Sequence, residues 1–334
     1  MDIILIILLV ILIIIILLGY FFSPKIIIGA IQKSLYKNGR DINSFEPFSK
    51  PIKKERADGS YYVSEIAYGT KYANSYLDII YKSKEASSVP TVIYFHGGGF
   101  FCGDKTLGDP MAIEDNASQL LNEIVSVGYN LVSVNYALAP QYHFPTPLMQ
   151  MNEAIEFLDI HSSELGLNMN NVVLFGQSAG AIMVSQYAAL LTSDEYRKKL
   201  NIWPSIDRKR IKLLIVDDAP LTPEKYNFAL WVMMSNYIGS GNIKSKKVQL
   251  CNPLPYIGAE TPPTFMTAGN TDGFPHEMQA LSDKLSKLGV EQEYFYRDRS
   301  YADLCHGYLN QLENNEYARE CFECMIKFMK KHTH

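Results

Sequence analysis

The hydrophobic pattern of the chain begins at one extreme. From Ile3 to Leu18 every residue is apolar, and Gly19, Tyr20, Phe21 and Phe22 extend the run to about the length that spans a bilayer. A helix buried in a soluble core keeps some polar face, and this run has none. No Lys or Arg precedes it and no small-x-small site follows it, so residues 1–24 read as an uncleaved transmembrane anchor rather than a signal peptide. Positive charge follows the run at Lys25, Lys33, Lys37 and Arg40, which by the positive-inside rule puts the rest of this single-pass chain in the cytoplasm. Residues 25–60 carry a looser amphipathic pattern (Ile26, Ile27, Ile28, Ile31, Leu35, Tyr36). They read as a linker that either continues the helix or folds back as a cap.

From residue 61 to 334 the pattern changes to short apolar runs alternating with helical periodicity. Tyr61–Tyr68 and Ser75–Tyr81 alternate around a turn and predict an antiparallel pair. Thr91–Phe95, Asn130–Asn135, Val172–Phe175, Ile211–Val216, Thr264–Ala268 and Glu291–Tyr296 predict further strands. Helices are predicted over Ala112–Val127 (capped by Asp109-Pro110), Leu148–His161, Pro275–Leu288 and Tyr317–Lys331. Strands alternating with helices imply a mostly parallel central sheet flanked by helices, with ligands at the carboxyl ends of the strands.

Composition narrows the function. The 334 residues fit one large α/β domain or two smaller ones, with a net charge of −4 and no basic stripe, so no nucleic-acid partner is expected. Five cysteines form no disulfide pattern. Cys321 and Cys324 make a C-x-x-C, but it lies inside a helical stretch with no second ligand pair, so no metal is expected.

The chemistry gathers at Gly176-Gln177-Ser178-Ala179-Gly180, a G-x-S-x-G with an apolar strand before it and a helical pattern after it. A strand-to-helix turn lifts the serine hydroxyl out of the sheet and aims free helix N–H groups beside it. His96-Gly97-Gly98-Gly99-Phe100 follows another strand end, where consecutive glycines let backbone N–H groups face an anion. A serine needs a base, and the base needs an acid to hold its tautomer. Among seven histidines, His306 is the expected base, because it lies in the loop after the last strand and can reach back over the turn. Asp272, directly after its strand, is the expected acid in the order Ser, Asp, His; Asp303, Asp217 and Asp218 are its rivals. Gly98, Gly99 and Ala179 would supply the oxyanion donors.

Together these motifs, with Tyr136-Ala137-Leu138-Ala139-Pro140 and Phe144-Pro145, resemble the hormone-sensitive-lipase-like esterases of the α/β-hydrolase fold. That group includes bacterial family IV esterases and membrane-anchored arylacetamide deacetylases. The resemblance implies a serine esterase acting through an acyl-enzyme, without metal or cofactor, on a small ester. It makes Ser178 the nucleophile, His306 the base and Asp272 its orienting acid, with His96 and Gly97 shaping the glycine loop. It also implies a small cap from about residues 25–58 and an insertion at about 221–256. The aromatic and Met content of that insertion (Phe228, Trp231, Met233, Met234, Tyr237) fits an apolar acyl pocket. Gln177 and Ala181 depart from the family's usual Asp or Glu and Gly, and Gln141 from its usual Glu. An amide or formamide hydrolase or a deacetylase would use the same groups. A catalytically silent binding protein would lack one of them.

Overall fold

The computed structural model describes residues 3–36, 41–83, 87–106, 117–242 and 244–333. Among these, nine strands form one sheet in the order β1-β2-β3-β5-β4-β6-β7-β8-β9. They are β1 (Lys53–Glu55), β2 (Tyr61–Ala67), β3 (Tyr76–Tyr81), β4 (Pro90–Phe95), β5 (Asn130–Val134), β6 (Asn168–Gln177), β7 (Ile211–Asp217), β8 (Thr264–Thr267) and β9 (Gln292–Phe295). β1, β2, β3 and β5 pair antiparallel, and from β5 across to β9 every pairing is parallel. The predicted strands are all present, within a few residues of their expected ends.

The helices are α1 (Ile3–Leu35), α2 (Ala117–Ser126), α3 (Thr146–Ile160), α4 (Ser162–Leu165), α5 (Ala179–Thr192), α6 (Asp194–Leu200), α7 (Phe228–Ile238), α8 (Lys246–Cys251), α9 (Pro275–Lys287) and α10 (Glu316–Thr333). The proposed start of the second helix, from Asp109 to Asn116, lies outside the described residues. Strand alternation sorts the core into two layers. Val172 and Leu174 of β6 face α3, α5 and α9, while Val173 and Phe175 face α2 and α10. A strand buried on both faces reads as a continuous apolar run, which is why these central strands were legible. Cys321 belongs to the second layer, where burial pushes its thiol up to about 12, far from the thiolate that redox chemistry needs.

The N-terminal run departs from the single uninterrupted anchor expected over residues 1–24. The helix continues to Leu35 with Pro24 inside it, and bends by 45° between Ile6–Gly19 and Pro24–Leu35. No single helix among the described residues is long and apolar enough to cross a membrane, though the bent pair meets that test together. The second half of α1 folds over the body. Ile28 is fully buried with Phe101, Cys102 and Val232 of α7.

A buried ion cluster ties the antiparallel end to the loop after β4. Lys105 Nζ lies 2.8 Å from Glu65 and 3.2 Å from Asp78, all three side chains nearly inaccessible. Tyr62 donates to the other Asp78 oxygen at 2.6 Å.

Candidate active site

Five loops leave the carboxyl edge of the sheet and converge. The turn from β6 into α5 holds Ser178 at φ 52°, ψ −110°, a left-handed backbone uncommon for a side-chain-bearing residue. The sequence permits it because Gly180 has no Cβ; one built there would lie 1.9 Å from the Phe95 carbonyl oxygen of β4. The turn is fixed from below by the Ser178 N–H, which donates to the Asp217 carbonyl at 2.8 Å.

His306, after β9, reaches the serine as the sequence implied. Its Nε2 lies 2.9 Å from Ser178 Oγ. Its Nδ1 lies 2.8 Å from Asp218 Oδ2. Asp272 does not take that position, contrary to expectation. Its Oδ1 accepts the backbone N–H of His306 at 2.7 Å, and its side chain also accepts from the Thr271 hydroxyl at 2.9 Å.

The physical reason is the turn geometry at the ends of β7 and β8. Asp218 leaves β7 at φ 60°, which turns its carboxylate inward. There it is buried and accepts the Gly269 N–H at 3.0 Å and the Phe274 N–H at 2.6 Å as well as the imidazole. Three donors on one buried carboxylate stabilise its charge and fix its direction. Asp272 sits on the outside of the next turn, exposed to solvent. Of the other rivals, Asp217 is buried and accepts from Gln177 Nε2, and Asp303 is 79% exposed and faces Arg299.

The glycine loop after β4 is anchored by aromatic packing. His96 stacks on Tyr136 with centroids 4.2 Å apart, its Nδ1 donates to the Gly97 carbonyl at 2.7 Å, and the Tyr136 hydroxyl donates to the His96 carbonyl at 2.7 Å. Gly98 adopts φ +100°, and a Cβ there would fall 2.2 Å from the Cys102 carbonyl oxygen. Its own carbonyl accepts the N–H groups of Phe101 and Cys102, both at 3.1 Å.

A cavity of about 180 Å³ opens at Ser178. The backbone of Gly99 and Ala179 and the side chains of Asp272 and His306 form its polar wall, and Phe100, Ile182, Pro220, Leu230, Met233, Met234 and Phe274 the apolar one. Of the insertion residues expected at a pocket, Met233 and Met234 line it. Tyr237 stands behind, stacked on Phe100 with centroids 3.4 Å apart, while Phe228 and Trp231 stack on each other away from it. Ile182 and Phe274 carried no signal of their own, since an apolar residue in a loop or helix start reads as core. A larger groove of about 870 Å³ between β2, β3 and α4 shares no residue with this site.

Comparison with known proteins places this geometry in a family. The chain is similar to an esterase of Gibberella moniliformis, with 25% identity over 213 residues, 61% of this chain and 63% of that protein. It thus spans just under two thirds of that relative's length. It is also similar to an arylesterase of Saccharolobus solfataricus, with 32% identity over 219 residues, 63% of this chain and 67% of that one. Among solved structures, esterase B of Lactobacillus rhamnosis inhibited by a tributyrin phosphonate shares the fold, with a TM-score of 0.69 at 19% identity over 95% of both chains. Residues 77–285, well over half of the sequence, match the BD-FAE family model, and the chain belongs to that family of α/β-hydrolases.

Proposed function

We propose that this protein hydrolyses carboxylic esters through an acyl-enzyme on Ser178. One observation carries the reading: an unbroken relay from Ser178 Oγ through both nitrogens of His306 to the buried Asp218, opening on an apolar cavity. In the first step His306 Nε2 takes the hydroxyl proton as Oγ attacks the ester carbonyl carbon. The negative charge that forms on the carbonyl oxygen meets the backbone N–H groups of Gly98, Gly99 and Ala179. The tetrahedral species then collapses, the C–O bond breaks, and the leaving alkoxide takes the proton back from His306. Water repeats the sequence and frees Ser178. Asp218 holds the imidazole in the tautomer that accepts at Nε2 and stabilises the imidazolium between steps. Asp272 acts one step further out, steadying the His306 backbone.

The cavity argues for a short acyl group. At about 180 Å³ it lies below the roughly 300–1,000 Å³ usual for small-molecule pockets. Ile182, Leu230, Met233, Met234 and Phe274 make most of the lining apolar, which favours a compact apolar acyl group.

The protein also works at a membrane in this reading. Ile6 to Leu18 are each between 42% and 59% exposed around the whole helix, and a helix apolar on every face needs lipid around it rather than a groove on one side. Lys25 and Lys33 after the bend favour a cytoplasmic body.

The test is turnover of p-nitrophenyl esters of increasing acyl length, beside Ser178→Ala. Hydrolysis that peaks at short chains and vanishes in the variant is the expected result. Equal inactivity of both folded proteins would remove the esterase reading.

A further inference from the structure

The second half of α1 does more than pack against α7 and the loop after β4. Gln32 is 5% exposed, and its Nε2 donates to two backbone carbonyls from separate loops, Phe101 at 2.7 Å and Ala139 at 2.8 Å. The two loops also meet directly, through the Ala139 N–H on the Phe100 carbonyl at 2.7 Å. Phe101 O belongs to the same peptide unit as the Cys102 N–H. That N–H donates to the Gly98 carbonyl at 3.1 Å. The Gly98 carbonyl in turn shares its peptide unit with the Gly99 N–H. Because each peptide is planar and trans, its C=O and N–H point in opposite directions. Fixing the Gly98 oxygen toward Cys102 therefore fixes the Gly99 N–H toward the opposite side, and Gly99 lines the cavity beside Ser178.

We infer that Gln32 is a positioning residue for the oxyanion hole. Its amide is the outer end of a hydrogen-bonded line of two peptide units that ends at the Gly99 N–H. Hydrogen bonds aligned in this way polarise one another, so the line also strengthens the last donor. The helix that carries the apolar run thus supplies a structural part of the reacting site. The inference rests on the serine-hydrolase reading.

The test uses the full chain. Gln32→Met keeps the length and apolar packing but has no donor. Expected is a fall in kcat of about tenfold to a hundredfold, the scale of a sub-ångström misplacement at a reacting centre. KM should stay within about twofold, because the Gly99 donor strengthens on the transition state rather than on bound substrate. Asn43→Ala is the control. Asn43 accepts the Leu138 N–H at 2.8 Å and donates to the Leu138 carbonyl at 2.9 Å, on the same loop as Ala139 but without touching Phe101. It should lower the melting temperature and leave kcat within about twofold. Gln32→Asn, a milder shortening that keeps an amide, is read the same way should the Met variant fold poorly. Wild-type kcat in either folded Gln32 variant, or a change confined to KM, overturns the inference. The wild type and Ser178→Ala, run alongside, separate the two readings. An inactive wild type takes down the hydrolase reading and this one with it. An active wild type with equally active Gln32 variants takes down this one alone.

Discussion

The sharpest test of the site lies in its two carboxylates. Asp218→Asn removes the charge that faces the imidazolium in the transition state, while Asp272→Asn alters the contacts to the His306 N–H and the Thr271 hydroxyl. The Asp218 oxygen is 2.8 Å from His306 Nδ1. At an effective dielectric of about 20, opposite unit charges at that separation interact by about 6 kcal/mol, close to four decades of rate. An amide retains part of this through its dipole. It also cannot satisfy all three donors. With its oxygen toward His306 and Gly269, its NH2 opposes the Phe274 N–H, and in the flipped orientation it opposes the other two. The expected loss in kcat is about 10³ to 10⁴-fold. Asp272→Asn keeps an oxygen for the His306 N–H, and should lose less than about tenfold. The assay is steady-state hydrolysis of p-nitrophenyl butyrate, with a thermal melt to establish folding in each variant. Equal losses, or a larger loss at Asp272, would refute the assignment of Asp218 to the ring.

Two further outcomes follow from packing. Lys105→Met leaves Glu65 and Asp78 buried without their cation, and should cost about 3–5 kcal/mol in urea unfolding. Burial raises Asp78 above the ordinary 3.8 despite the pull of Lys105, so the folded state holds that proton more tightly than the unfolded one. Stability from this group is therefore greatest below 3.8 and is lost as pH climbs through the raised value, so the deficit of the variant should widen on going from acid to neutral pH. A deficit under about 1 kcal/mol at neutral pH would count against the cluster. At the other end of the chain, wild type should float with phosphatidylcholine liposomes, whereas Leu9→Lys combined with Ile13→Lys should remain at the bottom of the gradient. Flotation of both would mean that the apolar run is not the anchor.

What the sequence disclosed depended on how local each signal was. The central strands are apolar runs and the elbow is a contiguous motif, so both were readable. β1 was not, because Lys53, Lys54 and Glu55 are exposed and charged, and become a strand only by pairing with β2. Gln32 has no signature at all, since its partners lie 69 and 107 residues away. Asp218 and Asp272 both follow strands and both satisfy the order Ser, Asp, His. The difference between them is a left-handed turn at Asp218, which no periodicity encodes.

Register is the missing variable, and it also explains the departure at Gln177. β6 and β7 are parallel neighbours in which Gln177 pairs with Asp217, so the residues that follow, Ser178 and Asp218, leave the sheet side by side. The same register puts the Gln177 side chain against a buried carboxylate: its Nε2 donates to Asp217 Oδ2 at 2.8 Å and to Asn310 Oδ1 at 2.9 Å, while its Oε1 accepts from the Tyr94 hydroxyl at 3.0 Å. A Glu at 177 would set two carboxylates together away from water, and one would have to bind a proton. An Asp at 177 meets the same repulsion with a shorter reach. Neutral Gln at this position and a second acid at the end of β7 are therefore one arrangement. The chain that carries Asp217-Asp218 beside its elbow needs an amide under the nucleophile, and it has a carboxylate within reach of His306 one strand nearer than β8.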